Sequence, residues 1–275
     1  MKNSASVRFL YGTVLGRILL KGIQCLHLDR IAVWFLCSPF SKAIIPWYIR
    51  KNAIPMEQFR KCQYKNFREF FLREKADYVF DADPKHLISP CDGWLSVHPI
   101  QQNQGFYIKG SYYRTEDLIQ DPEIAELFSG GECLVFRLCA SDYHHYCFID
   151  DGVLERSGYV EGELHSVQPI ACEKYPVFTL NRRAWSLLRT KHFGYVGQIE
   201  IGAMVVGGIV NPMSEGPFHR GDKKGRFELS GSTIVLLFQK DSVALKQEIL
   251  EILKKQPEAR VEVGMWIGNQ ITPQT

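Results

Sequence analysis

Gly225-Arg-Phe-Glu-Leu-Ser-Gly-Ser-Thr-Ile-Val-Leu-Leu-Phe238 opens on a glycine and closes as an unbroken apolar run, residues 234–238. A short apolar run bounded by turn residues is how a buried strand reads. Between the two halves stand Gly231, Ser232 and Thr233. Glycine admits backbone torsions closed to other residues, so a fold can aim the Ser232 hydroxyl at the preceding carbonyl carbon. With a base nearby, that hydroxyl becomes a nucleophile against its own backbone. The ordinary alternative is a turn entering a buried strand, and the stretch taken alone favours it.

Around that strand the chain alternates extended runs with Gly and Asp turns. Residues 93–100, 134–138 and 146–149 read as strands, followed by 177–180, 184–190, 195–201 and 204–210. Runs of this kind at irregular intervals fit a β barrel or sandwich. A helix is expected over 115–128, and an amphipathic helix over 243–255 precedes a last strand at 260–263.

Residues 1–60 differ in character. Val7, Leu10, Tyr11, Val14, Leu15, Ile18, Leu19 and Ile23 recur on a helical period, with Arg8, Arg17 and Lys21 on the other side. Two further segments carry Trp34 with Phe35, and Trp47 with Tyr48. No uncharged run approaches the ~18–20 residues of a spanning helix. Wide apolar faces, interfacial Trp and Tyr, and basic flanks suit helices lying in a bilayer surface; the competing reading is a helical cap packed on the core. Arg17 and Lys21 interrupt any signal-peptide core. Residues 57–76 read as one more helix, and the polar turn at 81–85 marks a boundary. The expectation is an α+β chain: a helical membrane-associating region, 1–80, and a β-rich catalytic domain, 81–275, with a mainly antiparallel β barrel or sandwich core.

At 275 residues, with 23% charged and 45% hydrophobic residues, the composition is ordinary globular usage. A net charge of +3 is too small to argue for nucleic acid. The eight cysteines show no Cys-x-x-Cys pair and no zinc spacing, so no metal is expected and the thiols read as reduced, in a cytoplasmic compartment.

Three places in the β region could carry chemistry. In Ser89-Pro-Cys-Asp-Gly93, proline and glycine bracket Asp92 in a tight turn. In Ser141-Asp-Tyr-His-His-Tyr-Cys147, adjacent histidines in a strand point to opposite faces, so one of His144 and His145 can face inward. Gly162-Glu-Leu-His-Ser-Val167 puts His165 near a strand entry. An Asp, a His and a Ser are the parts of a relay that activates a hydroxyl, yet such residues occur by chance in any chain of this size.

Taken together, in order, these contexts resemble the phosphatidylserine decarboxylases. Ser89–Gly93 matches that family's Ser-Pro-x-Asp-Gly turn, and Asp142-Tyr-His144 its Asp-Tyr-His strand. Residues 162–167, 193–194 and 201–207 match further family stretches, and 225–233 matches the Gly-x-Phe…Gly-Ser-Thr cleavage motif. The resemblance implies a self-cleaving proenzyme, cut between Gly231 and Ser232 into a large subunit, 1–231, and a small one, 232–275. Ser232 then becomes a pyruvoyl group, an electron sink for the decarboxylation of phosphatidylserine to phosphatidylethanolamine. It further implies peripheral attachment to the cytoplasmic side of the cell membrane, and a homodimer of the processed pair is entertained.

One position departs from the family pattern. Where relatives carry a second histidine three residues after the first, this chain has Cys147, a poor base unless its pKa is shifted; His165 stands where many relatives have an aromatic residue. Positions 147 and 165 are expected to neighbour one another in a sheet, with His165 as the replacement base paired to Asp92, and His144 handling protons in decarboxylation. The rivals are a barrel-sandwich-hybrid carrier or binding module, an unprocessed pseudoenzyme, and a pyruvoyl decarboxylase of a soluble amino acid.

Overall fold

Ser232–Phe238 is an interior strand of an eight-stranded sheet in the computed structural model, which describes residues 5–25, 28–77, 79–108, 111–139, 141–203, 208–229 and 232–271. Tyr195–Gly202 pairs with it on one side and Glu132–Leu138 on the other, both antiparallel and in register along its whole length. All seven of its residues are buried, because both faces of the sheet are covered. Ile234, Leu236 and Phe238 enter one core with Leu95, Leu134 and Phe136. Val235 and Leu237 enter the other with Val135, Ile199 and Phe128. The continuous apolar run is therefore the signature of a two-faced strand.

In spatial order the sheet runs Gly216–Phe218, Gly152–Val160, Arg183–Thr190, Tyr195–Gly202, Ser232–Phe238, Glu132–Leu138, Gly93–Pro99 and Ala259–Val261. The two outermost strands are not paired to each other among the described residues, so the expected barrel is corrected to an open sheet. Two three-stranded sheets accompany it. One joins Gly208–Val210, Lys223–Glu228 and His145–Cys147; the other joins His86–Ile88, Trp266–Gln270 and Val243–Leu245.

Several expected elements take a different form. The helix read over 115–128 is two, Thr115–Ile119 and Pro122–Glu126. Gln120 turns left-handed to end the first, and the Asp121 carboxylate accepts from Ile124 N to start the second. Residues 177–180, expected as a strand, form a helical turn entered from Pro176; four apolar residues carry no period that separates the two. Of the helix read over 57–76, only Phe67–Phe71 is α-helical, capped by Asn66.

The N-terminal period breaks into Ala5–Gly12 and Val14–Cys25. Gly16 lies against the Phe9 carbonyl, where a Cβ would come within 2.0 Å of the oxygen, so this crossing of the helices needs glycine. Val7, Tyr11 and Leu20 pack into the core, whereas Val14, Leu15 and Ile18 are 67%, 67% and 64% exposed. Among the described residues no helix is long and apolar enough to cross a membrane.

Candidate active site

Ser232 opens the interior strand opposite Gly202 on one neighbour and Leu138 on the other. It is fully buried, and its Oγ has no hydrogen-bond partner among the described residues. A buried hydroxyl left unpaired carries a cost, and Ser232 shares this state with Thr233, the only other polar residue of the strand. Gly231, which would supply the carbonyl under attack, lies outside the described residues, as do 204–207 of the matched stretch 201–207.

Asp92 ends the turn that enters Gly93–Pro99, two strands from Ser232, roughly 10 Å across the sheet. Its Oδ1 accepts from Lys75 Nζ at 2.8 Å and from Val263 N at 2.9 Å, and both members of the ion pair are buried. Further charge lies close by. Arg260 pairs with Asp142 at 3.0 Å, and Arg73 donates to the carbonyls of Ser141 and Asp142 while its guanidinium sits 4.5 Å over the Phe59 ring. Burial lowers the Arg73 pKa against the pull of these acids.

His165 lies on the other flank of Ser232. Its Nε2 meets Glu163 Oε2 at 2.6 Å, its Nδ1 meets Tyr11 Oη at 3.3 Å, and its ring stacks on Tyr175 at 4.9 Å. The expected Asp92–His165 pair is thus not formed: Lys75 and Val263 hold the carboxylate, while Glu163 and Tyr11 hold the imidazole. Nor are 147 and 165 sheet neighbours. Cys147 lies in the small sheet, Gly152–Val160 intervenes, and His165 sits outside the named strands.

What ties His165 to the strand beside Ser232 is Asn181, which no motif marks. Its Nδ2 donates both to the His165 carbonyl, at 2.8 Å, and to the Gly202 carbonyl, at 2.7 Å, and its Oδ1 accepts from His165 N. Gly202 is the ladder partner of Ser232. A lone asparagine carries no motif that would mark this role. Lys75 was equally illegible, since only the fold brings it to Asp92.

His144 is fully buried just before His145–Cys147. Its Nδ1 faces the Asp142 carbonyl at 2.9 Å, its ring packs at 4.1 Å on Phe71, and its own carbonyl accepts from Phe227 N. Side chains alternate along a strand, so Ser232 shares the face of Ile234, in the core that includes Phe71 and Phe227. Thr233 takes the opposite face. His145 is buried too, so both histidines lie inside the protein. Burial pushes the Cys147 thiol up to about 12, only partly countered by Arg220, which removes it as a base near neutral pH.

Residues 66–269 match the family model described as phosphatidylserine decarboxylase. The chain is 39% identical to phosphatidylserine decarboxylase proenzyme 2 of Clostridium acetobutylicum, over 96% of this chain and 92% of that protein. It is 37% identical to the phosphatidylserine decarboxylase proenzyme of Clostridium perfringens, over 86% and 83%. To the proenzyme of Ruminiclostridium cellulolyticum it is 35% identical, over 97% and 91%.

Proposed function

Because this chain belongs to the phosphatidylserine decarboxylase family, we propose that it is a proenzyme that cuts itself before Ser232 and then decarboxylates phosphatidylserine to phosphatidylethanolamine. The observation that carries the cleavage is the buried, unpaired Ser232 hydroxyl at the mouth of the interior strand. In the first step Ser232 Oγ loses its proton to a base and attacks the Gly231 carbonyl. The C–N bond breaks and an ester forms. Loss of the Ser232 α-proton then expels the Gly231 carboxylate and leaves a dehydroalanine. Water converts that to a pyruvoyl terminus with release of ammonia. Position 232 suits such a group, being fully enclosed with no side chain opposite it at Gly202. A pyruvoyl carbonyl supplies an electron sink for the departing carboxylate.

The chain's own residues have the remaining tasks. We assign the cleavage base to His165, oriented by Glu163 rather than Asp92, with its backbone tied through Asn181 to the carbonyl of Gly202. A carboxylate on one ring nitrogen fixes the imidazole and stabilises its protonated form. Asp92 with Lys75 holds the turn beside the site, and His144 delivers the proton that replaces carbon dioxide. A second reading has its own support: alternation puts Ser232 on the His144 face of the sheet, which would make His144 the base.

Exposed apolar side chains at Val14, Leu15, Ile18, Trp34 and Phe40 give this chain a surface suited to lying against a bilayer. A peripheral attachment fits a substrate that is itself a membrane lipid. The decisive test is the intact mass of purified protein. Two chains, with the smaller starting at a pyruvoyl group, are expected, and Ser232→Ala should give one uncut chain. Cleavage of the alanine variant at the same bond would overturn the mechanism.

A further inference from the structure

A cleft of about 480 Å³ opens beside His165, within the usual size of a small-molecule site. One wall is the helix Val14–Cys25, through Val14, Arg17, Ile18 and Lys21. The floor is Glu163, His165 and Tyr175. Among the described residues neither Arg17 nor Lys21 has an ion-pair partner, so two positive charges face the cleft uncompensated by a carboxylate of their own. The acid opposite them, Glu163, is already engaged by His165 at 2.6 Å.

We infer that this cleft is the headgroup subsite for phosphatidylserine, with Arg17 and Lys21 holding the phosphodiester. The inference rests on the proposed function. Its geometry follows from three neighbouring features. Val14 and Ile18, 67% and 64% exposed on the same helix, continue the cleft outward as an apolar surface for the acyl chains. Arg17 and Lys21, one helical turn apart, line the same cleft as Val14 and Ile18. Inward, His165 is stapled through Asn181 to Gly202, the neighbour of Ser232. A lipid placed this way turns its serine amine and carboxylate toward Glu163 and His165, the inner lining of the cleft. Arg17 supplies a planar fork for two phosphate oxygens and Lys21 a point charge. The helix that meets the membrane therefore also selects for a phosphodiester headgroup.

The test compares full-length protein with the double variant Arg17→Gln and Lys21→Gln, and with Arg8→Gln as a charge-removing control outside the cleft. Decarboxylation is followed in phosphatidylserine mixed micelles of a neutral detergent, where surface-charge attraction is small. The double variant should self-cleave as the wild type does. Its KM for phosphatidylserine should rise at least tenfold, kcat should change less than threefold, and Arg8→Gln should leave KM unmoved. Soluble glycerophosphoserine should inhibit the wild type competitively and the double variant much less; inhibition by inorganic phosphate alone to the same degree would mean an unspecific anion site and overturn the assignment. An unchanged KM in the double variant, or an equal rise in Arg8→Gln, also overturns it. If the wild type is cut but inert on the lipid, the proposed function itself falls, and the subsite with it; an active wild type with an unmoved KM sinks only the subsite.

Discussion

Ser232 is buried with its hydroxyl unpaired, while His144 and His165 are each held by other groups on opposite faces of the sheet. That division separates their variants. His165→Ala should accumulate uncut chain, and Glu163→Gln, which keeps the base and loses only its orienting carboxylate, should slow cutting about tenfold, less than the ~10²–10⁴-fold a general base contributes. His144→Ala should cut and then decarboxylate slowly. Cys147→Ala should mature normally, because a thiol held at about 12 is no base to lose. The fraction cleaved after a fixed incubation reads all four; wild-type maturation of His165→Ala beside an intact His144→Ala exchanges the roles. His145 gives a separate, acid-side expectation. Burial depresses its pKa against the pull of Glu74. The unfolded chain therefore takes up this proton first as pH falls from about 6.5. The stability linked to His145 is complete above that value and is lost as pH falls through the lower folded value. His145→Gln should flatten the acid limb of stability between pH 7.5 and 5, measured by denaturant titration; an unchanged limb would remove His145 as its source.

At the level of elements, the interior strand could be read from its sequence because a strand covered on both faces writes itself as an uninterrupted apolar run, residues 234–238. Shorter pieces could not. Residues 177–180 are as apolar as a strand, yet Pro176 starts a helical turn there. The pairing of Asp92 was hidden for a different reason. It depends on Lys75, held by the bridge between Phe59 and itself, and nothing local to either residue announces that contact. Asp92, His144 and Ser232 stand out as candidates by motif order and His165 by its departure from the family pattern, but the groups each one contacts belong to tertiary structure. Asn181 shows the consequence most plainly. Asn181→Leu would strand the buried donor and acceptors it now satisfies, at about 1–3 kcal/mol for each group. Lower melting temperature and slower self-cleavage should appear together. Loss of stability with unaltered maturation would mean that the staple does not position His165.

Across the whole molecule, the N-terminal region is in part packed on the core and in part exposed. Tyr11 is fully buried and Ile45 nearly so, whereas Trp34 and Phe40 are 72% and 80% exposed. Deleting residues 1–50 would strip core contacts along with the apolar surface, so point changes make the cleaner test. Replacing Ile18, Trp34 and Phe40 by serine should abolish most co-flotation with vesicles of phosphatidylcholine and phosphatidylserine and leave the melting temperature within a few degrees. Undiminished flotation would place the bilayer contact elsewhere. The position of Ser232–Phe238 between two full ladders also bears on the life history of the protein. With the bond before Ser232 cut as proposed, the shorter chain would still supply an inner stave of the sheet and could not leave without taking the fold apart. Folding must come first and scission second, and the order does not run backward. Before the cut, an unfolded molecule can refold as one chain; after it, the two pieces must find each other by diffusion, without the high effective concentration that a covalent link provides. Maturation by the proposed cleavage would therefore turn a molecule that can recover from denaturation into one that has to be replaced by fresh synthesis.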